Sequence, residues 1–235
     1  STIARIEQNS TLAAWEKLLD HPDPLIRLET VRWWRKFKGD AKFTKALEHA
    51  ADGLIKKDAS VEPDILDVLS HLQSGTTSKR DKDELTKFAL KEITAMPPGD
   101  RAKRSAMGLQ VFERNACTKC HTTATTTTLL APSLKGVAGQ KLDYLIESVL
   151  YPSKIIKTGW EVENIELKNG KTLVGLVKDE GKHLRILNLD KDERVLKSDI
   201  ESRNTSKISV MPEGQEATMS RREFVDLIAY LSTLK

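Results

Sequence analysis

Residues 114–123 read RNACTKCHTT, and the five positions at its centre, Cys117-Thr118-Lys119-Cys120-His121, govern how the rest of the chain is read. Cys117 and Cys120 are the only two cysteines in 235 residues, and His121 follows the second directly. Two thiols and an imidazole therefore fall within about one and a half helical turns. A run of threonines comes next, Thr122, Thr123 and Thr125 to Thr128.

Four chemistries use such a pattern. A structural zinc site needs four ligands, and the chain has no further cysteine to complete one. Adjacent Cys120 and His121 are also awkward for tetrahedral coordination. A redox dithiol is expected between a strand and a helix of a βαβ unit, whereas both flanks here have helical periodicity. A disulfide across two residues closes almost no loop and would stabilise little. The fourth is covalent attachment of haem c, the established meaning of C-x-x-C-H. Both thiols on one turn can add to the two vinyl groups, and the next residue presents its imidazole to the iron. The motif is short, so its flanks carry the rest.

Composition narrows the class. Hydrophobic residues make up 39%, enough for packed cores, and charged residues 31%, enough for a well-solvated surface. No run of about eighteen apolar residues exists, so no membrane span is expected. The net charge of +4 is mild, and acidic residues are interleaved with the basic ones. That pattern excludes a nucleic-acid stripe but suits an acidic docking partner. The sequence opens on Ser1, as expected of a mature or excised segment of a larger protein.

Outward from the motif, three regions are legible. Residues 1–97 carry helical periodicity throughout. Ser10 is placed to cap a helix with Leu12, Trp15, Leu18 and Leu19 on its apolar face. HPDPLIRLETVRWWRKF (21–37) puts Pro24 at a helix start, with Leu25, Leu28, Val31 and one of Trp33 and Trp34 recurring on one side. One tryptophan of that pair is expected in the core and the other half exposed. Tandem short helices of this kind predict a HEAT-like helical domain. MPPGD (96–100) interrupts the pattern and is read as the domain boundary. From Trp160 the period becomes alternating, which predicts a small antiparallel β insert over about 161–205, with Val162, Leu173, Val177, Leu184, Ile186 and Leu196 as its buried face. Asn169-Gly170 is its strongest turn signal, of the kind a type I′ hairpin requires. SRREFVDLIAYLSTLK (220–235) predicts a closing helix capped by Ser220, with Glu223 in a capping box and Phe224, Leu227, Ile228 and Leu231 facing inward.

Taken together, GLQVFERNACTKCHTT (108–123), APSLKGVAGQKLDYLIESVLYPSKIIKTGW (131–160), VMPEG (210–214) and REFVDLIAYL (222–231) resemble a class I c-type cytochrome domain. The order of helices, cytochrome motif and β insert ahead of MPEG resembles the haem-binding domains at the ends of large planctomycete and verrucomicrobial proteins. The resemblance implies a mainly α fold, with the helical domain at 1–97 and a cytochrome c domain at 98–235. It places Gly108 and Phe112 on a first helix crossed by Leu227 and Tyr230 of the last. It also implies one haem c bound through Cys117 and Cys120, with His121 as proximal ligand, the Pro132 carbonyl receiving that ligand's second ring N–H, and Met211 as the distal ligand. Two departures stand out. Residues 161–210 separate Trp160 from Met211, where the family has only a short loop, and threonines follow the motif where the family tends to have glycines.

The implied function is single-electron transfer outside the cytoplasm, from a redox protein or a dehydrogenase domain of the same polypeptide to a downstream acceptor. No nucleophile–base pair, phosphate loop or paired-acid motif is legible, so the chain is not expected to be an enzyme by itself. Two other classes stay open on the residues alone. One is a haem enzyme or gas sensor whose distal site is open or taken by His183. The other is an interaction protein in which haem acts as a staple. His21, His49 and His71 are expected to be surface or capping histidines. Met107 and Met219 are the rival methionines, the first on the wrong side of the motif and the second lacking a following proline.

Overall fold

The computed structural model describes residues 11–73, 81–124 and 130–235. Helices make up 55% of it, and a five-stranded antiparallel sheet another 15%. The chain is therefore a mixed α and β protein, which corrects the mainly α class with a small insert expected from sequence. It forms two compact units: Ser1–Arg80 with Ser220–Arg222, and Asp81–Met219 with Glu223–Lys235.

The first unit holds helices α1 (Leu12–Leu19), α2 (Pro24–Trp33), α3 (Ala41–Lys57) and α4 (Glu62–Gln73). Pro24 opens α2, where a missing N–H costs nothing, and the Asp23 carboxylate accepts the Leu25 N–H at 2.9 Å. The Ser10 cap expected for α1 lies outside the described residues. Trp33 and Trp34 are both buried, which corrects the half-exposed expectation. Trp34 meets Trp15 and Phe43 edge-on, with centroids 6.3 and 5.5 Å apart, and its indole N–H donates to the Phe43 carbonyl at 2.9 Å. The Lys36 ammonium lies 3.7 Å from the centroid of the Trp33 ring. Both rings are thus filled and satisfied, and serve as core.

The second unit adds α5 (Lys82–Ala95), α6 (Pro98–Arg114), α7 (Leu142–Leu150) and, from Glu223 on, α8 (Arg221–Leu231). One apolar core joins Leu85, Ala89 and Ile93 of α5 to Phe112 of α6, Ile146 of α7, and Phe224, Leu227 and Ile228 of α8. Helix α5 therefore packs in the same core as the cysteine motif, in the compact unit that begins at Asp81. Only Met96 and Pro97 separate α5 from α6, two helices of one core, and Arg101 reaches back across them to donate to the Ile93 carbonyl at 3.1 Å. Pro-Pro-Gly stops a helix wherever it falls and does not say which core its neighbours share.

Helices α6 and α8 cross at Gly108. A Cβ there would lie 2.0 Å from the Asp226 carbonyl oxygen and 2.6 Å from the Tyr230 Cβ. One turn on, the Phe112 and Tyr230 rings sit 5.5 Å apart. Two ion pairs, Arg104–Asp226 at 2.8 Å and Arg114–Glu223, flank the crossing. Glu223, the residue expected in the capping box, directs its Oε1 at Arg114.

The sheet consists of β1 (Val162–Leu167), β2 (Thr172–Glu180), β3 (His183–Leu187), β4 (Asp192–Leu196) and β5 (Ile200–Thr205), in the order β4-β3-β2-β1-β5. Consecutive strands pair, and β5 returns to pair with β1. Only Lys197–Asp199 joins β4 to β5, the two edges. From Leu196 to Ile200 the chain spans at most about 14 Å, whereas four gaps of a flat sheet need about 19 Å. The sheet therefore rolls toward closure. Gly175 of β2 permits this, since a Cβ there would meet the Leu187 carbonyl oxygen at 2.4 Å.

Register sorts the apolar side chains into two faces. Ile165, Leu173, Val177, Leu184 and Ile186 share the inner one. Val162 lies on the opposite face with Leu176 and Leu187, and packs toward Leu130, Trp160 and Val210. Leu196 pairs with His183 on that same face and is 42% exposed. The common face expected from sequence is corrected at Val162 and Leu196. The Asn169-Gly170 turn is also not type I′: only Gly170 has a positive φ, 82°, and the Gly170 N–H donates to the Leu167 carbonyl at 2.8 Å. That is a type I turn closed by a left-handed glycine.

Candidate functional site

Helix α6 delivers the cysteine motif. It ends at Arg114; Ala116 then takes a left-handed conformation (φ 58°), and a 3-10 turn runs over Cys117–Lys119. Among the described residues Ala116 is the one non-glycine with positive φ, a conformation that costs an L-residue about 1–2 kcal/mol. The strain reverses the chain immediately before Cys117. The His121 N–H closes the turn on the Cys117 carbonyl at 2.9 Å, so both thiols and the imidazole leave one compact loop. Cys117 and Cys120 are half-buried and not joined by a disulfide. Cys117 packs against the core shared by α5 to α8. Burial pushes its thiol up to about 11.

His121 is oriented by Pro132. Its Nδ1 lies 3.0 Å from the Pro132 carbonyl oxygen. A carbonyl only accepts, so Nδ1 carries the proton and Nε2 is left with its lone pair. Burial holds the imidazole below its usual range, a trend the Pro132 hydrogen bond opposes without reversing. A neutral ring in a fixed tautomer is the form in which histidine ligates a metal. Around it the loop is stitched by polar contacts: the Leu134 N–H donates to the Thr122 carbonyl at 2.8 Å, and the Ala124 N–H to the Thr122 hydroxyl at 3.1 Å. The rest of the threonine run, Thr125 to Thr128, lies outside the described residues.

Met211 reaches the same core. Its side chain is half-buried against the cluster that also receives Cys117. Its N–H donates to the Ser209 hydroxyl at 3.1 Å, and Pro212 restrains its backbone to the extended region. A direct bond links the two loops: the Thr218 hydroxyl, beyond Met211, donates to the Asn115 side-chain oxygen at 2.6 Å, two residues before Cys117. Cys117 and Met211 thus both pack against the core shared by α5 to α8, while Cys120, His121 and Pro132 stay together around the Cys117 turn.

The rivals stand elsewhere. His183 is exposed at the end of β3 opposite Leu187, and Leu187 packs toward Val210, next to Met211. Four residues of strand put His183 about 13 Å from that end. His71 approaches Arg35 at 3.2 Å, and His21 Nδ1 accepts the Asp23 N–H at 3.1 Å. Met219 is sealed in the core at 1% exposure. Among the described residues no group of three or more His, Cys, Asp or Glu is placed to hold a metal ion. No helix among them is long and apolar enough to cross a membrane.

One feature of the site carries no sequence signal. Lys82, at the start of α5, donates to the Leu150 carbonyl, lies over the Tyr151 ring at 4.5 Å, and stands 3.8 Å from Glu216 Oε1. Glu216 is 4% exposed and belongs to the 3-10 turn Gln215–Thr218 that follows Met211. The pair fastens the methionine loop to α5 and to the end of α7. Partners so far apart in the chain leave no trace in periodicity or motif. No family model matches the chain, and no curated protein matches it.

Proposed function

We propose that the chain is a haem c electron-transfer module, bound through Cys117 and Cys120 and ligated by His121 and Met211. The observation that carries this reading is the His121 Nδ1–H bond to Pro132 beside two thiols of one turn. It presents a single neutral nitrogen, Nε2, with its tautomer chosen in advance. The residues fit the group in a second respect, since Cys117 and Met211 pack against one apolar core and the two loops are tied by Thr218 and Asn115.

When bound, haem c supplies a one-electron couple, and a thioether ligand favours its ferrous state relative to two histidines. The chain's own residues hold and insulate. Pro132 fixes the ring of His121. Met211 offers a ligand that is neutral at every pH, so no proton competes for it. Pro212 and the Lys82–Glu216 pair restrict where that side chain can go. With His121 and Met211 both engaged, no position remains for a substrate, which makes the module a carrier of electrons rather than an enzyme. Thioether attachment is carried out beyond the cytoplasmic membrane, so the module belongs in the periplasm or at the cell surface. Its donor is a redox protein or a dehydrogenase domain of the same polypeptide.

The test is maturation in a host equipped for cytochrome c assembly. The wild type should carry one covalent haem per chain by intact mass, and Cys117→Ser/Cys120→Ser none. A double variant with normal covalent haem would refute the attachment.

A further inference from the structure

Residues 161–205 leave the rest of their unit and rejoin it at one place. The Ser206 N–H donates to the Val162 carbonyl at 2.7 Å, and Glu163 pairs with Thr205. A sheet whose two ends meet is not needed to carry the chain from Trp160 to Met211, so the contacts of its outer face have another cause.

That face carries one apolar row. Val162 of β1 stands opposite Leu176 of β2, and Leu176 opposite Leu187 of β3. All three are buried, although the sheet already has an inner core in Ile165, Leu173, Leu184 and Ile186. Three half-buried side chains cover the row: Leu130, Trp160 and Val210. Lys178, on the same face of β2, sets its ammonium 4.9 Å from the centre of the Trp160 ring. Leu130 lies two residues before Pro132, whose carbonyl orients His121, and Val210 immediately precedes Met211. The row thus meets both ligand-bearing loops, and the ladder of the sheet holds its side chains at fixed spacing.

We infer that Val162, Leu176 and Leu187 are positioning residues: through Leu130 and Val210 they hold Pro132 and Met211, and the sheet is the brace that sets both axial ligands of the iron. The inference rests on the haem c reading above. His121 and Met211 stand on loops, and a ligand on a loop keeps its geometry only where packing restricts that loop. A methionine is released from iron when its loop opens, so the packing of Val210 governs how often the sixth position is exposed. The bond made at Nδ1 of a ligating histidine fixes its ring and raises its basicity, so the packing of Leu130 acts on the other ligand. Truncating a leucine at such a contact raises the open fraction of the loop about tenfold or more.

The experiment compares neighbours on one strand in the full, haem-loaded chain. Leu187→Ala removes a side chain of the row, and Ile186→Ala removes one as deeply buried from the inner face. Both should lower the urea midpoint by similar amounts. Cyanide should enter ferric Leu187→Ala about tenfold faster or more than wild type, with a weaker red band and a lower reduction potential. Ile186→Ala should keep the wild-type rate, band and potential. Proton NMR of the reduced protein should show the His121 Nδ1–H exchanging with solvent faster in Leu187→Ala only. Leu187→Met conserves volume and should restore all of these. Leu187→Val carries the same comparison with a smaller shift if alanine prevents folding. Equal acceleration in both alanine variants would overturn the brace, since lost stability alone would then account for it. So would wild-type cyanide entry in Leu187→Ala, or faster release of Met211 with the His121 Nδ1–H unmoved. A wild type that lacks covalent haem, or is high-spin before any substitution, sinks the ligand reading itself and takes the brace with it.

Discussion

Gly108→Ala adds one methyl group where α6 crosses α8, and the structure sets what it must cost. The new Cβ would stand 2.0 Å from the Asp226 carbonyl oxygen and 2.6 Å from the Tyr230 Cβ, where ordinary contact begins at 3.4 Å. Helix α8 would have to withdraw by about 1.4 Å, because the obstructing atoms belong to backbone or lie next to it and cannot rotate away. Overpacking against such neighbours costs about 3 kcal/mol, and alanine returns about 1 kcal/mol of helix propensity. The net loss is about 2 kcal/mol, roughly a thirtyfold shift toward the unfolded state. Gly53→Ala is the control: it lies inside α3, its Cβ meets nothing within 4 Å, and the change should stabilise by about 1 kcal/mol. Urea titrations followed by circular dichroism read both, each on the transition of its own unit. A Gly108→Ala protein as stable as the wild type would refute the close crossing, as would an equal loss in Gly53→Ala.

Lys82→Met removes the cation beside buried Glu216 and should cost about 3 kcal/mol or more, because an uncompensated charge is left in the core. Lys82→Met/Glu216→Gln should recover a large part of that, and a double variant no better than the single one would show that the pair does not act as a unit. Leu184→Ala, at 1% exposure inside the rolled sheet, should cost about 2–5 kcal/mol. Leu196→Ala, on the outer face, should stay within about 0.5 kcal/mol of wild type by the same urea assay; equal losses would contradict the register.

Much of this could be read from the sequence, and the remainder fails for identifiable reasons. The closing helix is legible because Phe224, Leu227, Ile228 and Leu231 recur at helical spacing, and all four are buried. Pro24 marks a helix start because its ring fixes φ and its missing N–H is not needed there. Sheet faces are different. Alternation says that Val162 and Leu173 each point to one side, but which sides they share depends on the register between β1 and β2, and a one-residue offset exchanges them. The fold class departs from expectation for a related reason: five short strands look like an insert until the return of β5 onto β1 shows one five-stranded sheet with its own core. At the site, the cysteine motif and His121 are local and legible. Pro132 and Met211 were drawn from a resemblance. The strained Ala116, the Thr218–Asn115 bond and the Lys82–Glu216 pair are created only by tertiary contact.

The ferric absorption spectrum of the haem-loaded wild type, recorded beside Met211→Ala, tests the central claim most directly. His121 and Met211 together should give a low-spin spectrum with the weak red band of sulfur-bound iron, and Met211→Ala should abolish that band and admit cyanide or carbon monoxide. A high-spin wild type, or a spectrum that Met211→Ala leaves unchanged, would contradict the assignment of Met211 and with it the reading of this chain as a closed electron carrier.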